Sequence, residues 1–203
     1  EEVVNHYRLD ELLIKHFGDR AGLVLDLASY MVVDGRNQGQ YYPDYAYRHP
    51  LFSSGMRIYS DSTVSKFLSS VKDEQIAGFL NDWNADRDHK SRIYVSYDST
   101  NKNCQAGDVD FVEFGKAKVD LGLPIFNVGL AMDQNNRIPL FYELYPGSIN
   151  DVSQFKFMVD KAVGYGYKNI GFIIDRGYFC KANIRYMDEK NYCLLYTSPS
   201  PRD

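Results

Sequence analysis

Two short strings hold the residues whose chemistry can be read directly. Tyr97-Asp98-Ser99-Thr100 closes a run that alternates apolar and polar positions, and Asp175-Arg176-Gly177-Tyr178-Phe179 follows the apolar Phe172, Ile173 and Ile174 without a break. An aspartate at a strand end is often only a turn or helix cap. A buried run that opens into a charged pair and a glycine, where backbone can approach a ligand closely, weighs more toward a site. Two carboxylates at one sheet edge repel each other and do not both stay ionised without compensation. A divalent cation supplies it: magnesium takes oxygen ligands and keeps several waters, so one or two carboxylates plus phosphate oxygens make its usual shell. Two such ions about 3.5 to 4 Å apart activate an attacking oxygen and stabilise the leaving one at phosphorus. Asp98 and Asp175 are therefore the candidate catalytic and metal-binding residues.

Three cations stand close to them in sequence. Arg176 could clamp a phosphate as a fork donor or simply buttress Asp175. Lys116 and Lys118 could touch phosphates, with a solvated edge as the plainer alternative. The four histidines (His6, His16, His49, His89) all lie before residue 90 and read as helix-face or surface residues. Cys104, Cys180 and Cys193 form no CxxC pair and have no histidine at a zinc-ligand interval, so reduced thiols are expected.

Elements must bring Asp98 and Asp175 together. Residues 1–90 read as a small all-α domain: Leu9, Leu12, Leu13 and Phe17, and again Ile76, Phe79, Leu80 and Trp83, recur at helical spacing. Residues 22–33 suit a buried helix, and Ser60 or Asp61 caps a helix carrying Val64, Phe67 and Leu68. Residues 37–49, rich in turn formers and rings, read as a long loop. From residue 91 the period becomes two. Strands are expected over 92–99, 125–132 and 138–145, the last two joined by a turn at Asp133-Gln-Asn-Asn136. A helix capped by Asp151 and ended by Gly164 follows, then a doubly covered strand over 168–175 and a helix over 181–190. The order β-β-β-α-β-α lets the fourth strand lie parallel to the first through a right-handed crossover. Asp98 and Asp175 would then be side by side at the carboxyl ends of adjacent strands, where open α/β sheets place their ligands.

Composition restricts the partners only mildly. The 203 residues carry a net charge of −4, with 10 basic against 14 acidic residues up to position 90 and 13 against 13 after it. A neutral second part can still present a basic face, so DNA stays open as a partner. No apolar run approaches the roughly 18 to 20 residues of a membrane span, and a cytoplasmic protein is expected.

The strings Tyr-Asp-Ser-Thr at 97–100, Gly-Lys-Ala-Lys-Val-Asp at 115–120, Tyr-Pro-Gly-Ser at 145–148 and Ile-Ile-Asp-Arg-Gly-Tyr-Phe at 173–179 resemble successive boxes of bacterial insertion-sequence transposases, of the insertion-sequence-four group. The resemblance extends over most of residues 8–192, including Gln40-Tyr-Tyr-Pro-Asp-Tyr-Ala-Tyr47. It implies a ribonuclease-H-like mixed sheet, two Mg²⁺ ions with Mn²⁺ as a substitute, and a homodimer on paired ends. Its partners would be DNA: the terminal inverted repeats and a target. It implies a cytoplasmic, nucleoid-associated enzyme that cuts DNA by metal-activated water and joins the exposed 3′-hydroxyl to the target. Asp98 and Asp175 match the first two acidic ligands. The third, a glutamate in a Tyr-Arg-Glu-Lys-like motif, has no counterpart, Glu189 being in a different context, so this polypeptide alone is expected to be inactive. Relatives usually carry Ser where this chain has Ala117. Residues 193–203 resemble the translation of a sequencing adaptor, which would end native sequence near Tyr192, with the gene continuing. Two other readings stay open: a metal-dependent nuclease or resolvase of the same fold, and a decayed or domesticated DNA-binding protein.

Overall fold

The computed structural model describes residues 1–107 and 109–196. The chain divides into two compact units between Trp83 and Asn84. That boundary lies before the expected one near residue 90, and the cause is local. Asn84 is fully buried in the second unit, donating to the Leu140 carbonyl at 2.9 Å and accepting from the Tyr167 hydroxyl at 2.9 Å. His89 stacks on Tyr167 at 4.5 Å.

The first unit is all-α. It contains α1 (Glu2–Tyr7), α2 (Leu9–Phe17), α3 (Ala21–Asp34), α4 (Tyr42–Arg48), α5 (Asp61–Ser70) and most of α6 (Asp73–Ala85). Ser60 caps α5 by accepting from the Thr63 amide. Buried Asp26 on α3 accepts from the Phe52 and Ser53 amides and the Ser53 hydroxyl, so the segment before α5 is held against α3. No side chain fits between them at Gly22, whose added Cβ would lie 2.7 Å from the Phe52 carbonyl oxygen. The expected loop over 37–49 is instead a 3-10 turn, Gly39–Tyr41, leading into α4. Its turn formers misled because Pro43 occupies the first turn of α4, where a missing N–H costs nothing. Tyr42, Tyr45 and Ala46 repeat at i, i+3, i+4 and are buried with Leu23 and Tyr30.

The second unit carries β1 (Ile93–Asn103), β2 (Ile125–Asp133), β3 (Ile138–Pro146), α7 (Asp151–Gly164), β4 (Ile170–Ile174), α8 (Lys181–Glu189) and β5 (Cys193–Tyr196). The sheet order is β3-β2-β1-β4-β5, antiparallel across β1–β2 and β2–β3 and parallel across β1–β4 and β4–β5. This is the expected ribonuclease-H-like mixed sheet, with β4 beside β1. One sheet face carries Val95, Tyr97, Ala131, Phe141, Phe172 and Ile174, and it packs on Phe155, Met158, Val159 and Ala162 of α7. The turn after β2 is set by Asp133, whose carboxylate accepts from the Asn135 and Asn136 amides, and Arg137 takes the left-handed φ of 58°.

Two expectations change here. Asn150, not Asp151, caps α7, accepting from the Ser153 amide, while Asp151 accepts from the Tyr145 hydroxyl at 2.6 Å. Cys193–Tyr196, assigned from sequence to an adaptor tail beginning at residue 193, forms β5, with Leu194 opposite Phe172 and Tyr196 opposite Ile174. Alternation puts Leu194 and Tyr196 on the core side, a pattern too short to be seen in four residues of sequence. The remainder of that tail, 197–203, lies outside the described residues. The three cysteines are free thiols. Among the described residues no helix is long and apolar enough to cross a membrane.

Candidate active site

The parallel pairing of β1 with β4 runs from Ile93 opposite Ile170 to Tyr97 opposite Ile174. Asp98 and Asp175 are the residues that directly follow this last pair. Strand alternation gives the same result for direction: Ile93, Val95, Tyr97, Ile170, Phe172 and Ile174 are buried on one face, while Asp98 and Asp175 are both exposed. Asp98 does not end its strand, since β1 continues five residues to Asn103. It is β4 that stops at Ile174, and this leaves Asp98 at the carboxyl end of the paired segment.

Each carboxylate has one short anchor. Asp98 accepts from the Ser99 amide at 2.8 Å, and Asp175 from the Gly177 amide at 2.9 Å as the cap of a 3-10 turn, Arg176–Tyr178. Among the described residues neither makes an ion pair, so both keep oxygens available to a hard cation. Two exposed, anionic oxygen donors on neighbouring strands fit Mg²⁺ in type and number when phosphate and water complete the shell. No group of three His, Cys, Asp or Glu side chains gathers for a metal among the described residues.

The floor under the pair is a cluster of buried tyrosines, Tyr97, Tyr145 and Tyr178, which the sequence analysis did not single out. Tyr97 packs edge-on against Tyr178 at 5.7 Å, and Tyr178 against Phe155 at 6.3 Å. The Tyr97 ring crosses β2 at Gly129, where an added Cβ would meet its hydroxyl at 2.0 Å. Burial pushes the hydroxyls of Tyr97, Tyr145 and Tyr178 upward, well beyond the range of acid–base catalysis near neutrality. They are neutral packing and hydrogen-bonding groups. The Tyr178 hydroxyl makes no hydrogen bond of good geometry, although Ser99 lies near enough to offset part of that upward push. Glu143, facing the same interior, accepts from Gln154 at 2.8 Å and is 3.9 Å from Lys161. Lys161 is pushed down by burial, against the pull of Glu143.

The cations fall differently from one another. Arg176 is exposed and forms no ion pair with Asp175 among the described residues, so the buttressing alternative is not realised. Lys118 is tied down: its Nζ donates to the Ser99 carbonyl at 2.8 Å, next to Asp98. Lys116 is exposed, and its carbonyl accepts from the Asn101 side-chain amide at 3.0 Å. Asn101 also accepts from the Lys118 amide at 2.9 Å, and Asn103 brackets Asp120 in the same way, donating to its carbonyl at 2.8 Å and accepting from its amide at 3.2 Å. Two asparagine side chains thus extend β1 sideways where β4 has ended.

Two of the quoted boxes meet here. An added Cβ at Gly115 would lie 1.9 Å from the Gly147 carbonyl oxygen, and one at Gly147 would lie 2.3 Å from the Ile125 carbonyl oxygen. Glu113 pairs with Ile125 through two backbone hydrogen bonds and accepts from the Ser148 hydroxyl. Ala117 is buried and its amide donates to the Gly115 carbonyl.

No protein-family model and no curated protein matches the chain. Among solved structures, a Mos1 transposase paired-end complex with left transposon end is similar at 14% identity and a TM-score of 0.34 over 89% of this chain. A Mos1 strand transfer complex is similar at 14% identity and a TM-score of 0.36 over 87%. This chain spans 58% of the length of each. Similarity at this level assigns neither activity nor partner.

Proposed function

We propose that the protein is a DNA transposase of the type with three metal-binding carboxylates, of the insertion-sequence-four group, with Asp98 and Asp175 as the first two. The supporting observation is the parallel register of β1 on β4, which ends at Tyr97 opposite Ile174, the residues immediately before the exposed Asp98 and Asp175. When bound, Mg²⁺ supplies Lewis acidity and a nucleophile from water at neutral pH. The chain's own residues do the positioning. Asp98 and Asp175 hold the cations, with Mn²⁺ an acceptable substitute, and the tyrosine floor fixes the two backbones that carry them. Arg176, exposed beside Asp175, binds a DNA phosphate, as does Lys116. Lys118 holds its segment to the Ser99 carbonyl and adds positive charge next to Asp98.

The reading requires a third carboxylate, and among the described residues no third acidic side chain gathers with Asp98 and Asp175, so these residues alone are expected not to cleave. DNA is the substrate, both as element ends and as target, and a homodimer on paired ends is the working assembly. A version carrying the third carboxylate tests the reading. It is expected to nick DNA at element ends only with Mg²⁺ or Mn²⁺ and to join the cut 3′ end to a target plasmid. Nicking without joining would leave a nuclease, and metal-independent binding with no nicking would leave a DNA-binding protein.

A further inference from the structure

The helical unit holds an open pocket of about 360 Å³ between the 3-10 turn Gly18–Arg20, α5 and the start of α6. Thr63, Lys66, Phe67 and Ser70 recur at i, i+3, i+4 and i+7, so one face of α5 forms a wall. Phe17, Phe67 and Val71 supply its apolar surface. Its uncharged polar groups are already engaged. The Thr63 hydroxyl shares a hydrogen bond with that of Ser60 at 2.9 Å, and the Ser70 hydroxyl donates to the Phe67 carbonyl at 2.7 Å. The Gln75 side chain donates to the His16 carbonyl at 2.8 Å and accepts from the Lys72 amide at 3.0 Å. What remains for a ligand is Arg20 and Lys66, both exposed and, among the described residues, in no ion pair. No carboxylate lines the pocket, and the acidic residues nearest in sequence, Asp19, Asp61, Asp73 and Glu74, lie outside its walls. The Arg20 guanidinium sits 5.3 Å from the centre of the buried Tyr59 ring, and that of Arg57 sits 5.1 Å from the same centre. A third positive charge therefore stands close by. Like charges gathered in this way repel until an anion joins them.

We infer that this pocket binds a phosphate monoester attached to a ring, the chemistry of a nucleoside 5′-monophosphate or of a 5′-phosphorylated strand end. A monoester has a second pKa of about 6 and so carries close to two negative charges near neutrality. Arg20 and Lys66 match both, whereas a carboxylate or a phosphodiester would leave one cation unmatched. Arg20 brings a planar fork suited to phosphate oxygens, and Lys66 a point charge. Phe17 and Phe67 face the remaining space with rings on which a base can stack. The volume falls in the range of small-molecule sites, about 300 to 1,000 Å³. Neither Asp98 nor Asp175 takes part, so the inference stands apart from the cleavage reading.

The test is calorimetric titration of the full chain in EDTA with adenosine 5′-monophosphate, adenosine and inorganic phosphate. The monophosphate is expected to bind at one saturable site, and adenosine and phosphate each at least about tenfold more weakly, because each keeps only half of the contacts. Arg20→Gln and Lys66→Gln are each expected to weaken the monophosphate by about tenfold or more, the loss of a charge-assisted hydrogen bond. Both side chains are exposed, so the fold is expected to survive, with thermal unfolding as the check. Arg36→Gln removes the same charge from an exposed residue outside the pocket and is expected to leave the affinity unchanged. A 5′-phosphorylated pentanucleotide separates the two sources. Binding about tenfold tighter than the monophosphate, lost with its 5′-phosphate, identifies a strand end, and binding no tighter identifies the free nucleotide. Absence of saturable binding up to millimolar monophosphate overturns the inference. So does binding that the double variant Arg20→Gln, Lys66→Gln leaves intact, or adenosine or phosphate alone binding as tightly as the monophosphate.

Discussion

The ring of Tyr97 meets the edge of the Tyr178 ring at 5.7 Å with their planes 69° apart, on the sheet face opposite the carboxylate of Asp98. Tyr97 is the residue before Asp98, and Tyr178 closes the 3-10 turn that Asp175 caps. The contact therefore ties the backbones of both carboxylates together from below. Tyr178→Ala is expected to destabilise the protein by about 3 kcal/mol or more, as for other buried aromatic truncations. Tyr178→Phe keeps the ring and removes a buried hydroxyl with no well-formed partner, so its stability is expected within about 1 kcal/mol of wild type, on the stabilising side. Urea unfolding of both variants checks the pair.

Removing either carboxylate is expected to leave the fold intact, since both are exposed and each contributes only a short local hydrogen bond. In an otherwise complete enzyme, Asp98→Asn or Asp175→Asn is expected to lower Mg²⁺-dependent nicking by more than about 100-fold, because loss of even an outer-shell partner of a metal ligand costs 10–100-fold. Gel assays of nicking alongside anisotropy of DNA binding are the measurement. Nicking within a few-fold of wild type would remove that residue from the site.

Gly115 and Gly147 approach each other so closely that neither tolerates a side chain. Neither has a left-handed φ, so the requirement is for space alone. Gly115→Ala is expected to cost about 1 to 3 kcal/mol through backbone displacement. Because that displacement reaches residues 116–120, the same variant is expected to lose amide-exchange protection at Lys118 and Asp120.

In the helical unit, Asp82 on α6 accepts from Lys15 at 2.7 Å and from His16 at 2.5 Å, both on α2. These hydrogen bonds hold its carboxyl below the ordinary value of 3.8. A carboxylate lowered in the folded state adds stability above its unfolded pKa and loses it as pH falls through the folded one. Wild type is therefore expected to exceed Asp82→Asn in thermal stability near neutrality, with the difference closing below pH about 4. A difference that persisted unchanged into acid would mean the aspartate acts by packing and not by charge.

Much of this protein was legible in the sequence because its signals are local. The alternation of Ile93, Val95 and Tyr97 against Tyr94, Ser96 and Asp98 fixes which face of β1 is wet, and the apolar run into Asp175 fixes β4. The order of elements then leaves few ways to connect them, and the parallel neighbour of β1 follows. Local signals gave way where a neighbour distant in sequence decides the outcome. Residues 42–48 are helical because three side chains find a core in α3, and Cys193–Tyr196 is a strand because the edge of β4 is open to it. Only the tertiary structure could show that Asn101 and Asn103 continue the sheet with their side chains, that Gly115 rests on Gly147, and that Tyr178 reaches Tyr97. Each of these is a contact between segments, and its strength depends on distances that no spacing within one segment records.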